Sequence, residues 1–203
     1  EETKQVAKSG ASMIVCPGSI GIIDGIVPPS VVFQEAGGYC ALGSDQSPGN
    51  NCHNIINEMK NVTIFNKIKY GDPEVMPAWK ALRMATIEGA KALGLDSEIG
   101  SLEVGKKADF IAVDLRFPSM QPVYTYPMRN IVPNLVYSAR GEEVTLAAVD
   151  GNVIMKDRKI VGIEEKEYID AVTYCPKDIG ERAEKEFFEI NGTNAHFMRE
   201  NKL

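Results

Sequence analysis

The sequence predicts an α/β protein that carries a β-rich segment behind its parallel strands. Three observations lead there. Two short apolar runs, SMIVC (12–16) and YCALG (39–43), flank a helical stretch, and strands apolar on both faces mark a parallel sheet covered by helices. A stronger helical pattern then begins at Pro77. From Ser101 onward the pattern changes to short β-rich runs separated by turns.

In chain order, residues 3–9 read as a helix closed by Gly10. The run 12–16 reads as a buried strand ended by Pro17 and Gly18, and a glycine-punctuated loop is expected to Val27. Pro28 and Pro29 suit the opening of a short helix through Ala36, which Gly37-Gly38 closes before the second strand. Ile55, Ile56, Met59, Val62 and Phe65 recur at helical spacing. PAWKALRMATIEGAKALG (77–94) reads as one helix with Ala78, Leu82, Ala85, Gly89 and Leu93 on its core face, small enough for close backbone approach. ADFIAVD, NLVYSA, VTLAAVDGNVIM and KIVGI read as strands, with Asp150-Gly151 as a hairpin turn. These strands are too few to close a sandwich, so others are expected from elsewhere. Residues 164–190 return to helix, interrupted at Pro176, and the polar end from Asn191 reads as peripheral.

The chain has 203 residues, 44% hydrophobic and 25% charged, enough for one or two domains with a core. It holds no apolar run of the roughly 18–20 residues that span a bilayer. A net charge of -6 without a basic stripe argues against nucleic acid. Cys16, Cys40, Cys52 and Cys175 lack C-x-x-C spacing and read as free buried thiols in a reducing, cytoplasmic compartment. The sequons at Asn61 and Asn191 then read as chance matches. The chain opens without an initiating methionine, on what reads as the tail of a helix, so a piece of a longer protein is expected.

Four stretches carry polar residues that chemistry could use. GSLEVGKK (100–107) approaches a phosphate loop, but Lys107 stands at the hydroxyl position and a strand follows where a helix is needed; a turn is the better reading. VCPGS offers Cys16 or Ser19 as nucleophiles, without a histidine nearby to act as base. Asp45 stands where a parallel strand opens into a polar loop, the sheet end at which α/β barrels do chemistry. A carboxylate there either binds a divalent ion and takes a proton from water, or caps the loop that follows; on the stretch alone, capping is the better reading. His53 reads as a surface or capping-region residue.

Three stretches taken together change that balance. GASMIVCPGS, AGGYCALGSDQSPGNN…NEMK and ALRMATIEGAKALGLDSEIGSLEVGKKADFIAVDL resemble, in order and spacing, the metal-dependent amidohydrolase superfamily. The branch is that of aromatic-ring deaminases and triazine-type chlorohydrolases, with S-adenosylhomocysteine-type and guanine deaminases among its members. The likeness continues through NLVYSARGEEVTLAAVDGNVIM and so covers most of residues 1–162.

The resemblance implies the C-terminal part of a (β/α)8 hydrolase barrel and the C-terminal strands of its companion β-sandwich. Residues 1–100 would be the last two βα units, 101–162 sandwich strands and 163–203 a helical extension. A whole barrel takes about 250 residues, so the N-terminal half would lie elsewhere and become a partner; open sheet edges also predict a homo-oligomer. Asp45 matches the family's aspartate at the end of the eighth strand, which touches the metal and accepts a proton from the attacking water. Asn50 and Asn51 match its paired asparagines, and Ser19 and Gln46 are further substrate-binding candidates. Zinc, or else iron, is the implied cofactor, held mainly by histidines absent from this chain, so the chain alone is expected to be inert. Two departures bear on substrate: Ser19-Ile20 replaces a frequent Ser-Asn, and DQSPGNN replaces Asp-Gly and a serine before the asparagines.

The implied activity is hydrolytic deamination, or dechlorination, of a small N-heteroaromatic molecule. Cyclic or linear amide hydrolysis with the same machinery stays open, as does a non-catalytic subunit.

Overall fold

Two apolar triplets make the parallel pair. In the computed structural model, which describes residues 1–190 and 192–202 and every side chain of these but that of Tyr174, β1 (Met13–Val15) runs beside β2 (Cys40–Leu42). Met13 faces Cys40, Ile14 faces Ala41 and Val15 faces Leu42. The Asn191 sequon lies outside the described residues. The chain divides into two compact units, residues 1–159 and the residues from 160 onward.

In the first unit, α1 (Glu2–Lys8) precedes β1, and α2 (Pro17–Ile23) and α3 (Ser30–Glu35) join the two strands. After β2 come the single turn α4 (Ser47–Asn50) and the long α5 (Ile55–Tyr70). Asn54 caps α5, its Oδ1 accepting from the N–H of Ile56 (2.9 Å) and Asn57 (3.3 Å), and left-handed Gly71 ends the helix. The core gathers on one side of the strands: Val15, Cys40, Val31, Phe33, Met59, Val62, Ala81, Met84 and Val136 pack together. The opposite strand face is covered only in part, contrary to the sequence expectation: Ala41 is 4% exposed, but Ile14, its neighbour across the pair, is 56% exposed. Two strands with their connecting helices on one side cannot cover both faces.

Three further expectations change. Residues 17–23 form α2 rather than a loop, because Pro17 presets the first helical φ. Its glycines serve contact: a Cβ on Gly21 would stand 3.2 Å from the Phe65 ring. The segment 77–94 is two helices, α6 (Ala78–Met84) and α7 (Ile87–Ala92). The break falls at Thr86, whose hydroxyl donates back to the Leu82 carbonyl (2.7 Å). Its buried apolar residues are therefore Ala78, Ala81, Met84 and Ala90, while Leu82, Ala85, Gly89 and Leu93 line an open apolar cavity of about 710 Å³ shared with Ile14, Ala41 and Phe110. NLVYSA is not a strand: its first four residues end α8 (Ile131–Tyr137), in which Val132 and Val136, four apart, bury on one side.

The antiparallel sheet is built from β3 (Phe110–Val113), β4 (Val144–Val149) and β5 (Asn152–Lys156), with two-residue β6 (Lys159–Ile160) at its edge. Asp150 and Gly151 both take positive φ, as a two-residue hairpin turn requires. GSLEVGKK is a turn segment leading to β3, pinned by Lys106 Nζ on the Asp96 carbonyl (2.6 Å) and the Ser101 hydroxyl (2.7 Å). The second unit holds α9 (Glu165–Ile190), unbroken at Pro176, and α10 (Thr193–Arg199). A long helix tolerates an internal proline at a cost of about 3 kcal/mol. No helix among the described residues is long and apolar enough to cross a membrane.

Two buried groups give measurable consequences. All four cysteines are unpaired, but only Cys40 is fully buried, and Cys175 is exposed rather than buried as expected. Burial, then the Glu88 charge, push the Cys40 thiol up to about 12 against the opposing Lys80. At pH 8 its thiolate fraction is then about 10⁻⁴. Timed alkylation read by mass spectrometry is expected to label Cys175 early and leave Cys40 unmodified until unfolding.

Glu143 is buried and accepts from the Ser119 hydroxyl and from the N–H of Arg140 (3.1 Å) and Gly141 (2.9 Å). Burial raises its carboxyl, but the Ser119 hydroxyl and backbone N–H groups outweigh burial and hold it below the ordinary 4.5. A lowered folded value contributes stability above the unfolded pKa, which is lost as pH falls through the folded one. Glu143→Gln is expected to cost about 1–3 kcal/mol at neutral pH and to flatten the loss of stability below pH 4.5, read from urea midpoints at stepped pH.

Candidate active site at the strand ends

Because β1 and β2 are parallel, the loops at their carboxyl ends open on the same side. The Gly43 N–H closes the ladder on the Val15 carbonyl (2.9 Å), and two residues later Asp45 turns the chain with φ of 62°. Aspartate is among the few side chains that tolerate this left-handed region. Asp45 is exposed, and its Oδ2 accepts a 2.6 Å hydrogen bond from the Ser19 hydroxyl. Ser19 sits in the first turn of α2 and is only 3% exposed. The Ser19 hydroxyl, then the Gln46 N–H, hold the Asp45 carboxyl below its usual range.

Gly49 makes this pairing sterically possible. A Cβ there would stand 2.9 Å from Ser19 Oγ and 3.2 Å from Asp45 Oδ2. Cys16 lies beside them, its thiol raised first by burial and next by the Asp45 charge. The VCPGS serine thus pairs with an aspartate and not with an imidazole. His53 is exposed, its Nε2 3.1 Å from Ser47 Oγ.

The other candidates separate. Gln46 is exposed just before α4, and Asn51 is exposed and left-handed just after it. Asn50, 4% exposed, is turned inward: its Nδ2 donates to the Ser44 carbonyl (2.5 Å) and to Glu58 Oε1 (3.2 Å). Glu58 had drawn no attention in the sequence. It is fully buried, and its Oε2 accepts from the Gly18 N–H at 2.7 Å. The signal was an acid at a stripe position, three residues after Ile55 and four before Val62.

As a metal site this donor set is incomplete. Among the described residues no three His, Cys, Asp or Glu side chains gather within reach of one ion, whereas a catalytic site uses about three protein ligands. Asp45 offers one oxygen.

The amidohydrolase family model matches residues 4–154. The chain belongs to the amidohydrolase family. The family resemblance read from the motifs is thereby borne out. A 5-methylthioadenosine/S-adenosylhomocysteine deaminase of Moorella thermoacetica is 37% identical over 174 residues, 85% of this chain and 39% of that protein. A 5'-deoxyadenosine deaminase of Methanosarcina acetivorans is 36% identical over 77% of this chain and 35% of its own length. Among solved structures, an adenosine deaminase from Xanthomonas campestris with bound zinc superimposes with a TM-score of 0.81 at 29% identity, covering 88% of this chain and 39% of that one. A zinc-complexed atrazine chlorohydrolase from Arthrobacter aurescens shares the fold, with a TM-score of 0.76 at 20% identity over 85% of this chain and 37% of its own. This amidohydrolase chain spans well under half the length of the relatives it matches, and its fold is part of their barrel-type α/β domain with the sheets left open.

Proposed function

We propose that this chain is the C-terminal portion of a metal-dependent deaminase that hydrolyses the ring amino group of a small adenosine-like molecule. Within it Asp45 is the proton acceptor. The observation that carries the reading is the exposed Asp45 carboxylate at the carboxyl end of a parallel strand, held ionised by Ser19 and the Gln46 N–H. It is joined by 37% identity to a protein named for that activity.

A divalent metal, zinc in the neighbouring structures, would supply Lewis acidity that lowers the pKa of the attacking water. Asp45 is the residue of this chain that would help hold such an ion, and the other ligands would come from the rest of the protein. The carboxylate's second duty is to take the proton that the water loses as it attacks the electron-poor ring carbon, while an acid outside this chain would protonate the amino group so that the C–N bond breaks and ammonia leaves. One of its oxygens is fixed by Ser19, so the direction of that transfer is set before substrate arrives. Gln46 and Asn51, exposed on either side of α4, are the substrate-facing amides of this loop, and Asn50 serves to hold it.

The open outer edges of the β1–β2 pair are, in this reading, where the remaining barrel strands add. The missing half is thus an obligatory partner, and the assembled enzyme a cytoplasmic homo-oligomer. The test is an assay of the full-length protein with S-adenosylhomocysteine, 5'-methylthioadenosine and 5'-deoxyadenosine, scoring ammonia. Release of ammonia with the ring intact supports deamination. A new carboxylate would point to amide hydrolysis, and inactivity on all three after zinc loading would overturn the proposal.

A further inference from the structure

We propose that Glu58 is a positioning residue for this reaction: from beneath the strand ends it ties the turn after β1 to the loop after β2 and thereby holds Ser19 against Asp45. The inference rests on the reading of Asp45 as proton acceptor and adds a residue that this reading does not use.

The geometry is a two-armed tie. Glu58 Oε2 accepts from the Gly18 N–H (2.7 Å), one residue before Ser19. Glu58 Oε1 accepts from Asn50 Nδ2 (3.2 Å), and the same amide donates to the carbonyl of Ser44 (2.5 Å), one residue before Asp45. Asn61 Nδ2, one turn along α5, also donates to Oε1 (3.3 Å). The two members of the Ser19–Asp45 bond are therefore each neighbours of a backbone group that leads to the same carboxylate.

Packing alone does not explain an acid here. Glu58 is 0% exposed on a helix that also buries Met59 and Val62, where an apolar side chain would avoid the desolvation of a carboxylate. What an apolar residue cannot do is accept from two loops at once in fixed directions. A carboxylate has two oxygens and only acceptor capacity, which suits a group facing a backbone N–H on one arm and side-chain amides on the other. The space is also closed to alternatives: a Cβ on Gly18 would stand 2.6 Å from Glu58 Oε1 and 2.5 Å from Asn50 Oδ1.

Glu58→Gln keeps shape and volume but places an NH₂ group against a donor on one arm or the other. In the full-length enzyme it is expected to lower kcat by about ten- to a hundredfold, as displacement of a catalytic group by up to about an ångström does, with KM within twofold and metal content unchanged. If Glu58 acts through Ser19, the Ser19→Ala/Glu58→Gln double variant loses no more than the worse single one. In the same full-length protein, the Gly18 amide proton should resonate downfield and move upfield in Glu58→Gln. Wild-type kcat in Glu58→Gln, additive losses in the double variant, or an unmoved Gly18 amide would each overturn the proposal. Should Glu58→Gln fail to fold, Asn50→Ala cuts the Ser44 arm alone; a kcat-only loss supports the tie, and unchanged kcat overturns it. Wild-type activity in Asp45→Asn would instead sink the reading of Asp45 as proton acceptor and the positioning role of Glu58 with it, while the Gly18 resonance would still report the tie.

Discussion

Replacing Asp45 with asparagine in the full-length enzyme is expected to cut kcat by about 10²–10⁴-fold, the usual worth of a placed proton-transfer group. The substitution isolates chemistry from folding. Asparagine tolerates the left-handed backbone at position 45, where φ is 62°. Its carbonyl oxygen can still accept from the Ser19 hydroxyl, now 2.6 Å from Oδ2. What it cannot do is take a proton at neutral pH. Steady-state kinetics with 5'-methylthioadenosine, run beside thermal melts, check this; full activity in a folded Asp45→Asn protein would remove the proton-acceptor role. The direction of the pH effect also follows. Ser19, as the largest influence, and Gln46 lower the Asp45 carboxyl, so Ser19→Ala raises it toward the ordinary 3.8 and moves the acid limb of the rate profile toward neutrality.

A large stability effect is expected at Gly18. A methyl group there would meet Asn50 Oδ1 at 2.5 Å and Glu58 Oε1 at 2.6 Å, and both side chains are buried and engaged. Neither is the free end of a flexible chain, so the helix start must move, at a cost of about 1–3 kcal/mol. Gly25 provides the contrast. Its φ is +65°, and nothing lies within 4 Å of an added Cβ. Gly25→Ala meets only the left-handed backbone cost, about 1–2 kcal/mol, and leaves the Glu58 tie alone. Urea midpoints rank the two, and the Gly18→Ala protein should also lose kcat while Gly25→Ala keeps it. An unchanged midpoint in Gly18→Ala would mean that the cluster is looser than its distances imply.

These residues also show which parts were legible in sequence. β1 and β2 were readable because each apolar run is bounded by glycine or proline, and the Asp150-Gly151 turn because its chemistry is local. α2 was hidden because Gly18 and Gly21 look like helix breakers. Their purpose is contact with Asn50, Glu58 and Phe65, partners 32 to 44 positions away that only the fold brings near. α8 was hidden by valines and a tyrosine that favour strands, until burial of Val132 and Val136 decides for a helix.

In the candidate site, Asp45 was visible from its place after a strand and from the family motif. Ser19 and Asn50 were visible as positions, but not the direction of the Asn50 amide, which depends on Ser44 and Glu58. Glu58 itself reads as one more charge on a helix. Its meaning arises only when the Gly18 N–H arrives 40 residues from the other side.

The single turn α4 is bracketed by two left-handed residues, Asp45 and Asn51, with Pro48 inside it. Such a segment has few conformations to surrender, so most of its ordering is completed when the chain folds and little is left for substrate capture. Ligands of different size should then meet the same carboxylate with nearly the same entropic penalty. Selectivity among nucleosides would be written on whatever surface receives the sugar and its 5' substituent, leaving this loop as common equipment.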